Sequence, residues 1–113
     1  MEAARVAELA ARAIVARKGL DPVILDLQGI TLIADYFVIA SGASTVHVQA
    51  IASHVETVLE EAGLQFLHRE GRDAARWLLL DYGAVVVHIF QEEDRRFYNL
   101  ERLWRDARVI KVG

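Results

Sequence analysis

The sequence has no cysteine and only one proline in 113 residues. Without cysteine there are no disulfide bonds, thiolate metal ligands or catalytic thiol, which suits a reducing compartment. No apolar run approaches the roughly 20 residues that a membrane helix needs. The first 18 residues mix alanine with charged side chains, a composition typical of neither a signal peptide nor a transit peptide. These absences predict a cytoplasmic protein with no membrane association.

An excess of positive charge is also missing, because 13 Lys and Arg side chains are scattered among 16 Asp and Glu. Proteins that bind the phosphate backbone of nucleic acids usually carry a basic patch that displaces its counterions. We therefore expect little or no direct nucleic-acid binding. The formal net charge of −3 better suits a basic protein partner.

Hydrophobic periodicity predicts one α/β domain that spans residues 1–113. Its predicted order is α-β-β-α-β-β-β-α, with about five strands in a single mixed sheet and helices packed on it. Ser44 is a favoured N-cap for the second helix, and Gly63 ends that helix. The helices are predicted at 2–18, 44–62 and from about 97 to 104. The strands are predicted at 23–28, 36–41, 64–69, 77–82 and 84–90.

The last two predicted strands form a hairpin with two different sides. With Tyr82 and Gly83 in the turn, Trp77 would face His88 and Leu79 would face Val86. Side chains alternate across a strand, so each side can be read from the sequence. The side predicted to be core is wholly aliphatic: Leu78, Leu80, Val85, Val87 and Ile89. The other side mixes aromatic and polar groups: Trp77, Leu79, Asp81, Ala84, Val86, His88 and Phe90.

Two interpretations of the aromatic side remain open. Its composition resembles the core of a protein–protein interface, which predicts that a partner docks there. Alternatively, the C-terminal helix covers it, with Leu103 and Trp104 packing on Trp77. Each interpretation could hold for a different part of the side. A register shift of one residue would exchange the two sides.

The four histidines do not form a recognisable metal site. His47 and His54 are seven residues apart, about 10.5 Å along a helix, and metal–nitrogen bonds are only about 2.1 Å. We expect both on a solvated helix face. His68 lacks an evident partner in the sequence. We predict no metal and no cofactor.

The junction of residues 41–45 connects a strand to a helix and could bind an anion through free backbone N–H groups. It lacks the Lys and the glycine spacing of a P-loop, so a capped helix start is favoured. A nucleotidyltransferase would also need clustered carboxylates to hold a divalent metal ion. Asp26, Asp35 and Asp81 are available, but no Asp-x-Asp pair occurs on a predicted strand. The sequence thus favours a protein that is not an enzyme, with metal-dependent nucleotidyl transfer as the weaker alternative.

Several ordered motifs extend along the chain from about Val6 to Ala107. They are DYFVIASG at 35–42, ST at 44–45, VQAI at 48–51, EG at 70–71, WLLLDYG at 77–83, VVVHIF at 85–90, FYNLERLW at 97–104 and DA at 106–107. In these motifs the chain resembles the ribosomal silencing factor family, also called Iojap-like proteins. Two positions depart from the family pattern: Val46 stands where Arg is common, and Ala84 stands where Asp follows the hairpin glycine.

The resemblance implies a fold like that of nucleotidyltransferases, without their catalytic carboxylates. It implies binding to the large ribosomal subunit through a basic protein, the fourteenth of that subunit, at the face where the small subunit joins. Steric blocking of subunit association would then repress translation. Relatives in organelles act in assembly of the large subunit, which is the alternative function.

On this basis we expect a partner-binding site centred on the aromatic side of the hairpin. Trp77 would be its anchor, and Asp81 and Glu70 would meet basic groups of the partner. The exposed apolar face would also allow the free protein to form a homodimer. The predicted centre comprises Trp77, Leu79, Asp81, Val86, His88 and Phe90. The predicted edge comprises Tyr36, Glu70, Gly71, Arg72 and Tyr82.

Overall fold

A computed structural model describes residues 1–71 and 76–112. In these ranges the chain forms four helices and six strands, and none of the helices is long and apolar enough to cross a membrane. The helices are α1 (Ala3–Ala16), α2 (Thr45–Glu61), α3 (Glu92–Tyr98) and α4 (Leu100–Leu103). The strands are β1 (Leu20–Asp26), β2 (Tyr36–Gly42), β3 (His68–Glu70), β4 (Trp77–Asp81), β5 (Val85–Gln91) and β6 (Arg108–Lys111).

The strands form one mixed sheet in the order β3-β4-β5-β2-β1-β6. β2 and β5 are parallel, and the other neighbouring pairs are antiparallel. α1 and α2 pack on one side of this sheet and enclose the main core. The predicted α/β class, with a single mixed sheet and packed helices, is confirmed.

Local signals define both ends of α2. Ser44 Oγ accepts a hydrogen bond from the backbone N–H of His47 at 3.1 Å, which satisfies one of the free N–H groups of the first turn. At the other end Gly63 has φ +89, a conformation that glycine adopts without strain. The predicted cap and the predicted stop are both confirmed.

The predicted aliphatic side of the β4–β5 hairpin is core. Its residues pack against α1 and α2. Their fractional exposure is 1% or less for Leu78, Leu80, Val85, Val87 and Ile89. Burying five aliphatic side chains of this size contributes roughly 1.5–3 kcal/mol each to stability.

The register of this hairpin differs from the prediction by two residues. Trp77 pairs with Phe90 and Leu79 pairs with His88, and just beyond the last pair of the ladder Tyr82 donates its N–H to the carbonyl of Val85. Gly83 and Ala84 form the turn, and only Gly83 has a positive φ (+87), as a type II′ turn requires. A shift of two residues leaves every side chain on its predicted side.

The C-terminal part of the chain departs most from the prediction. The single predicted helix is divided at Asn99, which has φ +45 and whose side chain caps α4. Beyond it, β6 pairs with β1 and adds a sixth strand that the sequence pattern did not indicate. β6 has only two apolar residues, with a charged residue at each end. This pattern is too short to be recognised as a strand from hydrophobic periodicity. Elsewhere, β3 is shorter than predicted, and β1 begins earlier than predicted, with an irregular register between Leu20 and Val23.

Candidate partner-binding face

The second side of the sheet is partly covered by the C-terminal segment, residues 92–107. The Trp104 ring lies edge-on to Phe37 at 6.1 Å, and Tyr98 lies 6.2 Å from Phe90. Under this segment lies a second buried cluster: Val23, Leu25, Leu27, Ala34, Phe37, Ile39, Val86, Phe90 and Ala107. The covering interpretation is therefore confirmed for strands β1, β2 and β5. The contacts predicted for this interpretation, of Leu103 and Trp104 with Trp77, are wrong. Tyr98 packs on Trp77 instead, and Leu103 is 68% exposed.

The rest of this side stays accessible along β3 and β4. The strand register places five side chains together on it, and each is exposed or half-buried. We call this surface the open strip; it comprises His68, Glu70, Trp77, Leu79 and Asp81. The predicted aromatic side is thus divided into a covered part and an accessible part.

Trp77 lies at one end of the open strip, where β4 begins, and is held from three directions. Its indole stacks on Phe90 at 4.8 Å and contacts Tyr98 at 4.7 Å. Its Nε1–H donates a hydrogen bond to Nδ1 of His88 at 3.1 Å. A half-buried Trp supported in this way is the kind of rigid side chain that dominates binding energy at interfaces.

Two further aromatic residues extend the open strip onto α3. Phe97 is 79% exposed and Tyr98 is 48% exposed, and their rings are 5.1 Å apart. Because Tyr98 also contacts Trp77, the three rings form a continuous accessible surface. The sequence interpretation missed both residues, since it assigned Phe97 to the apolar stripe of a helix. Their place in the FYNLERLW motif was the available signal.

His88 does not belong to the accessible centre, contrary to the prediction. Its side chain lies against Phe37, with ring centroids 4.5 Å apart, and the residue is only 4% exposed. Burial lowers the pKa of this imidazole to about 4, because the protonated ring would lose its hydration. Val86 and Phe90 are likewise buried, at 6% and 1% exposure. These three residues support the open strip from below and cannot contact a partner in this conformation.

The acidic edge of the strip is accessible. Glu70 is exposed, and its carboxylate lies 2.8 Å from His68, a partner that the sequence did not indicate. Asp81 Oδ1 accepts a hydrogen bond from the N–H of Gly83 at 2.7 Å, which leaves its second oxygen available to a partner. Gly71 has φ +95, and a Cβ there would lie 2.5 Å from the carbonyl oxygen of Trp77. Arg72 lies outside the described residues.

Two predicted edge residues lie on the opposite side of the sheet. Tyr36 is 9% exposed and packs in the cluster beneath α1 and α2. Tyr82 packs against the same cluster, and its pKa is raised to about 12 by burial and then by the nearby Glu56. They therefore do not lie beside the open strip, as the sequence interpretation placed them. Both belong to the helix-covered side because the chain alternates sides at each residue.

The features considered for enzyme chemistry are used structurally. The N–H of Ala43 donates to Nδ1 of His47 at 2.9 Å, so it is not free to hold an anion. The other ring nitrogen of His47 lies 2.9 Å from the carbonyl oxygen of Arg17, which links α2 to the end of α1. The prediction that His47 lies on a solvated helix face is therefore wrong, because both of its ring nitrogens have backbone partners. Asp26, Asp35 and Asp81 lie at the same end of the sheet, yet no group of three acidic or histidine side chains in residues 1–71 and 76–112 could hold a metal ion.

Comparison with known proteins gives matches over most of the chain. A curated protein of Bacillus subtilis named "Ribosomal silencing factor RsfS" is 46% identical over 102 residues, which is 90% of this chain and 86% of that protein. A mouse protein named "Mitochondrial assembly of ribosomal large subunit protein 1" is 38% identical over 73 residues, 62% of this chain and 32% of that protein. A crystal structure of a Chromobacterium violaceum protein superimposes with a TM-score of 0.89 at 36% identity, covering 92% of this chain and 87% of that one.

The family model described as "Ribosomal silencing factor during starvation" matches residues 1–113. A match along the whole chain leaves no part of the fold unassigned to the family. It agrees with the motifs that extend from the first helix through the C-terminal segment, and with the similarity of the solved structure. The chain therefore belongs to the ribosomal silencing factor family.

Proposed function

We propose that the protein binds the large ribosomal subunit through its open strip and prevents the small subunit from joining. The observation that carries this proposal is the full-length family match. The name of the mouse relative refers to the large subunit, which supports that subunit as the target. The protein would act by binding in the cytoplasm and would need no cofactor.

The chemistry of the open strip suits a basic ribosomal protein, for which the fourteenth protein of the large subunit is our candidate. Trp77 and Leu79 provide an apolar centre, and Phe97 and Tyr98 extend it. Glu70 and Asp81 place carboxylates beside this centre. Apolar contacts would supply most of the affinity, and the carboxylates would orient a lysine- or arginine-rich surface.

Blocking of subunit association would be steric. The folded chain measures 35 × 33 × 26 Å. A rigid body of this size, attached at the joining face, would occupy space that the small subunit needs. No chemical step and no conformational change are required, so inhibition should follow occupancy of the site.

The test uses Trp77→Ala and Leu79→Ala in co-sedimentation with purified large subunits and in light scattering of mixed subunits. Loss of a central anchor should lower affinity at least ~30-fold, since truncation of such residues costs about 2 kcal/mol or more. The control is Val109→Ala, because Val109 is a half-exposed strand residue on the same side of the sheet but at the opposite edge. Urea unfolding of each variant establishes that it is folded.

The two measurements separate the proposed function from its alternative. Wild-type protein should both co-sediment and reduce the scattering increase that accompanies subunit joining. Co-sedimentation without any effect on joining would instead favour a role in large-subunit assembly, which the name of the mouse relative makes the second candidate. Unchanged co-sedimentation of folded Trp77→Ala and Leu79→Ala would show that the open strip is not the binding site.

A further inference from the structure

His88 is a buried polar residue to which the proposed function assigns no role. The indole Nε1–H of Trp77 can only donate, so Nδ1 of His88 must be the acceptor in their 3.1 Å hydrogen bond. The neutral ring then carries its proton on Nε2. This N–H is buried and has no hydrogen-bond partner among the described residues. A buried donor without a partner destabilises the fold, so its presence calls for an explanation.

The surroundings of His88 hold its ring in one position. Phe37 lies edge-on to the imidazole at 4.5 Å, and the ring of Phe90 is nearly parallel to it at 6.3 Å. Leu79 is its neighbour across the ladder on the same side of the sheet. With the ring confined, the lone pair of Nδ1 has a fixed direction.

Stacking alone would not fix the direction of the Trp77 indole. Its contacts with Phe90 and Tyr98 are apolar ring contacts with interplanar angles of 28° and 46°. Apolar contact is largely non-directional, whereas a hydrogen bond requires its donor to point at the acceptor. The bond to His88 therefore selects the orientation that places the indole nitrogen inward.

We infer that His88 is a positioning residue, which fixes the Trp77 indole in the orientation that the open strip presents to its partner. The inference rests on the proposed role of Trp77 as the anchor. A side chain already held in its bound orientation loses less freedom on association, which strengthens binding. On this view the buried imidazole is retained for the hydrogen bond it accepts, although its other nitrogen stays unpaired.

The test combines three substitutions with two measurements. His88→Leu removes the acceptor, His88→Gln retains an acceptor oxygen, and Trp77→Phe keeps a stacking ring but removes the donor. The indole ¹H–¹⁵N resonance of Trp77 is followed in the free protein and is identified as the one that Trp77→Phe lacks. Affinity for large subunits is measured for each variant and for the double variant Trp77→Phe/His88→Leu.

We expect His88→Leu to shift the indole resonance and to weaken binding about 3- to 10-fold, the range of one hydrogen bond. His88→Gln should recover much of the affinity. In the Trp77→Phe background, His88→Leu should cause no further loss, whereas a purely structural role of His88 would persist there. Wild-type stability of His88→Leu would add support, since the unpaired Nε2–H is removed with the ring.

An unshifted indole resonance, or an equal loss of affinity in the Trp77→Phe background, would overturn the inference. If His88→Leu does not fold, the affinity of Trp77→Phe alone tests the inference. Wild-type affinity of Trp77→Phe would then overturn the inference. Failure of the two hypotheses can be told apart. Wild-type binding by Trp77→Ala removes both, whereas loss of binding by Trp77→Ala without coupling to His88 removes only this inference.

Discussion

At the residue scale, two histidines on one side of the sheet have different environments. His68 is exposed on the edge strand, and its ring lies 2.8 Å from the carboxylate of Glu70. His88 is buried among aromatic rings, and desolvation lowers its pKa to about 4. It is therefore neutral at physiological pH and can accept the hydrogen bond from Trp77.

The lowered pKa of His88 predicts a loss of stability in acid. In the unfolded chain the ring takes up a proton near its ordinary pKa of 6.5, whereas the folded ring resists protonation down to about pH 4. The unfolded state thus binds more protons between these values, and the free energy of unfolding falls as the pH drops from 6.5 towards 4. The loss attributable to His88 should reach on the order of 3 kcal/mol.

Urea unfolding across this pH window measures the effect. The free energy of unfolding of His88→Leu should depend less on pH than that of the wild type, because the two proteins differ in no other ionisable group. Equal slopes in the two proteins would show that His88 is not the group responsible.

At the element scale, one arginine connects the C-terminal segment to the sheet through several hydrogen bonds. Neither α3 nor α4, as described, contains a buried residue, so apolar burial within these helices holds them only weakly. Arg95 donates from Nη1 to the carbonyl of Leu20 and to Ser41 Oγ, both at 3.1 Å, and from Nε to Glu101 at 2.9 Å. One half-buried guanidinium therefore ties α3 to β1, β2 and α4.

Replacement of this guanidinium should loosen the whole segment. We expect Arg95→Ala to lower the free energy of unfolding by about 2–3 kcal/mol, since hydrogen bonds to charged groups are among the stronger ones. Amide hydrogen exchange should accelerate in α3 and α4 more than in α2, because only the former lose their connection. The neighbouring exposed Arg96 provides the control: Arg96→Ala should change stability by no more than about 0.5 kcal/mol. Equal effects of the two substitutions would contradict this role of Arg95.

At the scale of the whole molecule, opposite edges of the sheet differ in charge. The β3 edge and the nearby end of α2 carry Glu60, Glu61 and Glu70 beside the single arginine of β3, Arg69, whereas β6 at the far edge carries Arg108 and Lys111. Because the net charge is only −3, this separation of charge would orient the protein towards a basic partner more than it would increase the attraction between them. A basic partner should therefore approach the β3 edge, where the open strip lies.

Charge reversal at the open strip should slow association with the large subunit. Glu70→Lys is expected to reduce the association rate roughly 2- to 10-fold at low salt and to reduce its salt dependence, as for other charges at the rim of an interface. Glu61→Lys makes the same change in charge on an exposed residue of α2, across the sheet from the strip, and should have a smaller effect. Association rates measured on surface-immobilised large subunits at low and high salt test this prediction. Equal effects of both substitutions would indicate that only net charge matters.

The sequence alone determined the local features of this protein. The cap at Ser44, the stop at Gly63 and the two sides of the β4–β5 hairpin depend on residues that are close together in the chain. The two sides of the hairpin were predicted correctly although the predicted register was wrong, because a shift of two residues equals the period of side chains along a strand. The family was also recognisable from its motifs.

Only the tertiary structure decided which part of the aromatic side is covered. The contacts that cover it join distant residues, such as Arg95 and Leu20, which are 75 positions apart. The same holds for the burial of His88 under Trp77 and for the pairing of β6 with β1. Periodicity reports which side a residue faces, but whether that side meets water depends on how distant segments pack. For this reason Phe97 and Tyr98 belong to the accessible surface, while His88 and Phe90 do not.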